Sequence, residues 1–313
     1  MKHYLVTSGA GFIGSHIART LKQQGASVRV FDNFSTGRRE NLRGPEGQAA
    51  AAAIEVVEGD LRDAARVAEA VRGMDVVFHE AAFVSVPESM ERPQDCLDIN
   101  VTGSINLLEA ARKAGVHRVV IASSAAVYGD SAELPLVEDT PLRPLSPYAT
   151  SKIVGELYAG LYTRSFGLEV AVLRYFNVYG PRQSPNSDYA AAVPIFVRRL
   201  LDGQAITIFG DGRQTRDLIY VGDVVRANLL AAEHPAAAGQ VFNICTGQAT
   251  SILNLVEVLR NLFPAAPAPG FAPARAGDIY ASVGCSTKAE TVLGFRAETE
   301  LAVGLKATVE WMR

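Results

Sequence analysis

Tyr148 and Lys152, four residues apart, are the pair in this sequence best suited to move a proton. They stand in Ser146-Pro147-Tyr148-Ala149-Thr150-Ser151-Lys152. Pro147 is pre-set for a first helical turn and Ser146 is a competent cap, so the spacing predicts a helix that opens here. Residues four apart share a helix face, which brings an ammonium near a phenol without help from tertiary folding. A free tyrosine ionises only near pH ~10, and a neighbouring positive charge favours the phenolate. Tyr148 is therefore a candidate acid/base near neutral pH if a cofactor site surrounds it. Without one, the pair is two half-buried helix residues.

A second motif supplies such a site. Tyr4 to Thr7 reads as a buried strand, Ser8 to Gly14 as a turn, the residues through Leu21 as an amphipathic helix, and Val28 to Phe31 as the next strand. Gly9, Gly11 and Gly14 thus form G-x-G-x-x-G in the strand-turn-helix context that a dinucleotide requires. Glycines let the backbone approach a pyrophosphate closely, and the helix N-terminus behind them offers free N–H groups. Asp32, at the end of the second strand, can accept from both ribose hydroxyls. It selects NAD over NADP, because a 2'-phosphate would meet a negative charge. Arg38 and Arg39 read as solvated loop residues.

Further strands are expected at Ile54 to Val57, Val76 to Phe78, Val119 to Ala122 and Val170 to Leu173, with helices at Ala64 to Val71 and Asn100 to Lys113. This alternation predicts an α/β fold with a doubly wound parallel (Rossmann) sheet, whose ligands collect at the carboxyl ends of the strands. Three features fall at those ends. Asp60 either bonds an adenine amino group or caps the following helix. After His79, more often a structural histidine than a catalyst and left unassigned, and Glu80, the small residues Ala81 and Ala82 suit backbone passing close to a ligand. Ser123 and Ser124 either face the ligand or satisfy backbone groups where the strand stops. From Gly180 the alternation fades into loops rich in Pro, Gly and Arg. The expected division is a Rossmann domain over 1–179, with 219–245 returning to it, and a smaller α+β substrate-binding domain over 180–313. Gly44 to Ala53, with five consecutive alanines, reads as a surface connection.

With 48% hydrophobic and 20% charged residues over 313 positions, the chain has the composition of an ordinary soluble enzyme. A net charge of -3 argues against nucleic acid as a partner and leaves no basic stripe for a membrane surface. Cys96, Cys245 and Cys285 are far apart and form no C-x-x-C, so neither a disulfide framework nor a metal site is expected. The N-terminus runs directly into a short strand, too short for a signal peptide or membrane span, and a cytoplasmic protein is the expectation.

The glycine turn, Asp32, Ser123-Ser124, Tyr148-x-x-x-Lys152 and Tyr175-Phe176-Asn177-Val178-Tyr179-Gly180-Pro181 occur in this order. In this the chain resembles the extended short-chain dehydrogenase/reductase family over nearly its whole length. Within that family it is similar to the UDP-hexose 4-epimerases, sharing also Asp32-Asn33-Phe34-Ser35-Thr36-Gly37, Ser85-Val86-Pro87, Gly210-Asp211-Gly212, Arg216-Asp217 and Arg275-x-Gly-Asp278. One departure is Ser8, where the family usually has glycine.

The resemblance implies roles. Tyr148 would be general base on the sugar 4-hydroxyl, Lys152 would lower its pKa while holding the nicotinamide ribose, and Ser124 would bond the same oxygen. NAD would be held by Gly9, Gly11, Phe12, Ile13, Gly14, Asp32, Asn33, Asp60, Leu61, Ala81, Ala82, Asn100 and Tyr175 together with Tyr148 and Lys152. The UDP-sugar would meet Ser85, Ser124, Asn177, Phe209, Arg216, Arg275 and Ser282. Ser282 stands where a bulky tyrosine would crowd an N-acetyl group, so both plain and N-acetylated UDP-hexoses are expected as substrates. A homodimer through the helices near Asn100 and Tyr148 is also implied.

Three rivals stand beside this reading. Nucleotide-sugar 4,6-dehydratases and UDP-glucuronate decarboxylases need a carboxylate directly after the catalytic hydroxyl, where this chain has Ala125 and Ala126. A UDP-glucuronate 4-epimerase would need a group for the C6 carboxylate, which Arg182 can supply. From another class, the chain could be a non-catalytic NAD-binding sensor.

Overall fold

The computed structural model describes residues 1–43, 54–185, 191–274 and 279–313. Six parallel strands, β1 (His3–Thr7), β2 (Ser27–Asp32), β3 (Glu55–Glu58), β4 (Val76–His79), β5 (Arg118–Ser124) and β6 (Glu169–Tyr175), form one sheet with the strand Val241–Ile244. Its order is Val241–Ile244, β6, β5, β4, β1, β2, β3. The doubly wound α/β sheet read from the alternation is thus the observed one. The strands are near-continuous apolar runs because helices cover both faces. One core layer gathers Val6, Val30, Phe78 and Val120 with the helices Phe12–Gln23 and Val221–Glu233; the other gathers Leu5, Phe31, Val77 and Val119 with Gly103–Ala114.

Helix Pro147–Phe166 begins where the sequence places it. The Ser146 hydroxyl accepts from the Ala149 amide at 3.1 Å, Pro147 occupies the first turn, and Gly167 ends the helix at φ 71°. The helix expected from Asn100 opens differently: a π-turn over Asp98–Thr102 leads into Gly103–Ala114. The cap of helix Ala64–Val71 is Asp63, which accepts from the Ala65 and Arg66 amides, so Asp60 is released from that reading.

Beyond Tyr175 the strands other than Val241–Ile244 shorten to two to three residues and pair into three small sheets. They pack with the helices Ala192–Leu201, Ile252–Leu262 and Leu301–Met312 around Tyr179, Phe196, Ile208, Leu255 and Leu305. Among the described residues no helix is long and apolar enough to cross a membrane. The expectations for Gly44 to Ala53 and for Arg275 lie outside the described residues.

Candidate active site

Neighbours β1 and β4 carry the chain away to opposite sides of the sheet, and ligands of such folds bind where the order reverses. A cleft of about 980 Å³ opens there, bordered by Gly11 to Gly14, Glu80, Ser124, Tyr148, Tyr175, Asn177, Phe209 and Arg216. At its floor the Gly11 amide donates to the Ser8 carbonyl at 2.9 Å, and helix Phe12–Gln23 starts immediately behind. The turn is too tight for larger residues. A Cβ on Gly14 would lie 2.3 Å from the Ser8 carbonyl oxygen, and one on Gly9 would lie 2.5 Å from Val30. Ser8 itself sits at φ 50°, the left-handed region where glycine is at ease and an L side chain is strained. The departure at this position is therefore accommodated as backbone strain, with the turn closed.

Asp32 is buried at the end of β2, and its two carboxylate oxygens accept from the Ala10 amide at 2.9 Å and the Phe34 amide at 2.8 Å. Burial raises its pKa, against the pull of these two bonds. The amides fix the group and leave each oxygen a lone pair for a ribose hydroxyl. Asn33 donates to Asp60 at 3.0 Å, and Asp60 also pairs with Arg62 at 2.8 Å, whose hydrogen bond holds the carboxyl well below the usual range. Leu61 is buried beside them. Free helix amides, a close glycine turn and an oriented acid fit an unphosphorylated dinucleotide such as NAD.

The wall above is built by β5 and helix Pro147–Phe166. Ser124 accepts from the Ala126 amide at 3.2 Å and stands close enough to the Tyr148 phenol to pull its pKa down. Ser123 donates to Glu156 at 2.6 Å, and both serines border the cleft, so Ser124 meets both alternatives left open by the sequence: it takes up a backbone amide where the strand stops and also lines the cleft. Lys152 lies behind Tyr148, its Nζ 5.7 Å from the ring centroid and donating to the Ala122 carbonyl at 2.8 Å. Desolvation lowers the Lys152 pKa to about 8. The expectation that Lys152 depresses the Tyr148 pKa meets a correction. Burial raises the phenol, Cys96 adds to the rise and only Ser124 pulls it down, while the Lys152 ammonium is held on the Ala122 carbonyl.

Several supports depend on partners distant in sequence. Glu156 and Arg174 form a buried ion pair at 2.6 Å behind the wall. Asn100 clasps the Phe83 backbone in both directions, at 2.7 and 3.0 Å, and donates to Ser151 at 2.9 Å, so it secures the helix that carries Tyr148. Ala81 donates its amide to Thr7 at 3.0 Å, joining the ends of β4 and β1, while Ala82 borders the cleft. His79, neutral between Thr7 and Ser104 at 2.9 Å each and lowered to about 3 by burial, is structural. Glu80 was passed over although its carboxylate accepts from Tyr175 at 2.8 Å in the cleft wall. A carboxylate beside His79 inside Val76 to Ala82, whose other residues are apolar or small, was the signal available.

The facing wall comes from the short strands. Ser85 caps helix Val86–Glu91, its hydroxyl accepting from the Glu88 amide at 3.2 Å, and it borders the cleft with Asn177, Phe209 and Arg216. Ser282 pairs in register with Arg216 on an adjacent strand and lies outside the cleft lining. Arg182, at φ 68°, donates to Ser15 of the first helix at 3.2 Å and borders the cleft from that side.

A doubly wound sheet with a glycine turn, a ribose-oriented acid and a serine–tyrosine pair at its strand ends defines a dinucleotide-dependent enzyme of the α/β class. The chain belongs to the NAD dependent epimerase/dehydratase family, whose model matches residues 4–245. It is 41% identical over 311 residues to the UDP-glucose 4-epimerase of Mycolicibacterium smegmatis, covering 99% of this chain and 98% of that one. Among solved structures it is similar to the UDP-glucose 4-epimerase of Thermotoga maritima with UDP-glucose, at TM-score 0.93 and 39% identity, covering 99% and 98% of the two chains. It is equally similar in fold to a UDP-N-acetylglucosamine 4-epimerase of Methanobrevibacter ruminantium in complex with UDP-N-acetylmuramic acid, at TM-score 0.93 and 36% identity, again covering 99% and 98%.

Proposed function

We propose that this chain is an NAD-dependent 4-epimerase of UDP-hexoses, interconverting UDP-glucose with UDP-galactose and UDP-N-acetylglucosamine with UDP-N-acetylgalactosamine. The observation that carries it is that Ser124 and Tyr148 stand together in the wall of a cleft that runs from the glycine turn to Arg216. When bound, NAD supplies an acceptor that takes hydrogen from the sugar C4 and returns it on the other face, with no net oxidation.

The protein's own part is to hold and move a proton. Tyr148 exchanges it with the sugar 4-hydroxyl, and Ser124 holds that oxygen in line. Lys152, braced on Ala122, keeps a positive charge behind the phenol and reaches the ribose side. Arg216, with Arg275 as its expected partner, presents guanidinium forks suited to the diphosphate, and Phe209 and Asn177 contact the nucleotide. Ser282, small and beside Arg216, leaves room for a 2-acetamido group. Asp32, Asn33, Asp60, Leu61, Ala81, Ala82, Asn100 and Tyr175 serve the cofactor, Asn100 through the backbone and helix that it secures.

The division into a Rossmann unit over 1–179 with 219–245, and a substrate unit over 180–313, belongs to the same proposal. Val241–Ile244 pairing with β6 supports it. So does the homodimer: Leu157 and Leu161, four apart on helix Pro147–Phe166, are 67% and 40% exposed. Free Cys96, Cys245 and Cys285 accord with a reducing, cytoplasmic setting.

The test is a sealed assay with UDP-galactose, purified protein and no added nucleotide or with NAD alone. Formation of UDP-glucose supports the reading. A deoxy-keto sugar would indicate a dehydratase, and no conversion of any UDP-hexose a sensor.

A further inference from the structure

Glu80 directly follows β4 and borders the same cleft as Gly11, Ser124 and Tyr148. One oxygen is fixed by a chain of hydrogen bonds. Asn228, from helix Val221–Glu233, donates to the Tyr175 hydroxyl at 2.7 Å, and Tyr175 donates to Glu80 at 2.8 Å. Among the described residues no cation forms an ion pair with Glu80. Lys152, whose charge acts on Glu80, places its ammonium on the Ala122 carbonyl. A half-buried carboxylate oriented by a dedicated donor and left without a paired cation is costly to keep unless a ligand brings the compensating charge. The reading above, on which this inference rests, places in that cleft a nicotinamide ring that is cationic when oxidised and neutral when reduced.

We propose that Glu80 is the counter-charge of the oxidised nicotinamide, a positioning residue that makes the site hold NAD⁺ more tightly than NADH. The charge is conditional. Burial raises the Glu80 carboxyl to about 7, while the Tyr175 bond and then the Lys152 charge pull it down, so the group is anionic above that pH and neutral below it. The other groups around it leave this titration to Glu80. Tyr175 on β6 is raised well above the phenol range, His79 at the end of β4 stays neutral, and Glu156 is committed to Arg174 and Ser123. Cys96, raised by burial, and Glu156 act on Lys152, while Tyr148 and Glu88 border the cleft.

The experiment is calorimetric titration of dinucleotide-free protein with NAD⁺ and with NADH at pH 6 and pH 8, on the unaltered chain, Glu80→Gln and Tyr175→Phe. One unit charge at a partly screened site predicts about a tenfold change in affinity. The unaltered protein should bind NAD⁺ about tenfold more weakly at pH 6 than at pH 8, with NADH changing less than about twofold. Glu80→Gln should bind NAD⁺ at the pH 6 strength throughout. Tyr175→Phe, which removes the bond favouring the carboxylate, should move the NAD⁺ transition to higher pH. Equal losses for both dinucleotides in Glu80→Gln, or NAD⁺ affinity flat with pH in the unaltered chain, overturn the assignment to Glu80 and leave the epimerase reading standing. Binding of neither dinucleotide by the unaltered chain overturns both. Should Glu80→Gln fail to fold, the pH contrast in the unaltered chain decides alone.

Discussion

The two walls of the cleft are built by different means. The wall bearing Ser124 and Tyr148 consists of a seven-residue strand and a twenty-residue helix, braced from behind by the buried Glu156–Arg174 pair. From Arg174 the brace continues to the Tyr128 hydroxyl at 2.8 Å and on to Asn243 at 2.6 Å. The facing wall, bearing Phe209 and Arg216, consists of strands two or three residues long. Its brace is one buried carboxylate: Asp217 accepts from the Thr246 amide at 2.8 Å, the Thr246 hydroxyl at 2.7 Å, and the amides of Gly247 and Gly284 at 2.9 and 3.3 Å. Long elements hold a reacting atom within tenths of an ångström, which proton transfer demands. Short strands tied to a single knot can vary in shape, which suits a surface that chooses among sugars. If this division is right, damage to the first wall falls on kcat and damage to the second on KM.

The largest effect is expected at the phenol. Tyr148→Phe keeps the ring and the helix but removes the proton carrier, so kcat for UDP-galactose should fall by roughly 10³-fold or more with KM little changed. Epimerisation at full rate would remove Tyr148 from the chemistry and dissolve the distinction between the walls. Next is Glu156→Gln. Breaking a buried ion pair costs roughly 3–5 kcal/mol because the arginine is left uncompensated. The thermal midpoint should drop by several degrees, and kcat should drop with it as the helix loosens. A fall in KM-linked affinity with kcat intact would show that the brace serves the other wall.

What could be read from the sequence follows the same divide. The glycine turn, Asp32, the Ser146 cap and the Tyr148–Lys152 spacing are local patterns, each fixed by a few consecutive residues, and the structure realises all of them. Glu80 had no such pattern: its partner Tyr175 lies 95 residues away and arrives only through the sheet order. Asp217 appeared beside Arg216 in a matching motif, yet its task depends on Thr246 and Gly284, which are 29 and 67 residues distant. The fate of Asp60 also turned on distance, since Asn33, 27 residues upstream, shares its carboxylate with the adjacent Arg62. The pKa direction at Tyr148 was illegible for a further reason. Helix spacing places the ammonium on the correct face, but only the fold shows that the Ala122 carbonyl captures it.

Asp217→Asn sharpens the comparison from the second wall. The amide keeps the size but offers one acceptor oxygen in place of two, so some of the four donors lose their partner at about 1.5–3 kcal/mol for a charged hydrogen bond. KM for UDP-galactose should rise by about tenfold, through displacement of Arg216, while kcat at saturation stays within about twofold. Steady-state kinetics over a wide substrate range separates the two constants. A loss confined to kcat would mean that the two walls move as one body.

The smallest effect, and the most specific, is expected from Ser282→Tyr. Ser282 pairs in register with Arg216 and lies just outside the cleft lining, so a phenol there extends toward the sugar without touching the proton-transfer wall. UDP-glucose and UDP-galactose should retain their kcat/KM within about twofold. UDP-N-acetylgalactosamine should lose roughly tenfold, since a crowded acetamido group costs about 1–3 kcal/mol in a pocket of this kind. The ratio of the two kcat/KM values is the readout, because a general loosening of the wall lowers both and leaves the ratio alone. If the ratio is unmoved, the room for an N-acetyl group is set elsewhere on the short-strand wall, and the small side chain at position 282 has no part in choosing the sugar.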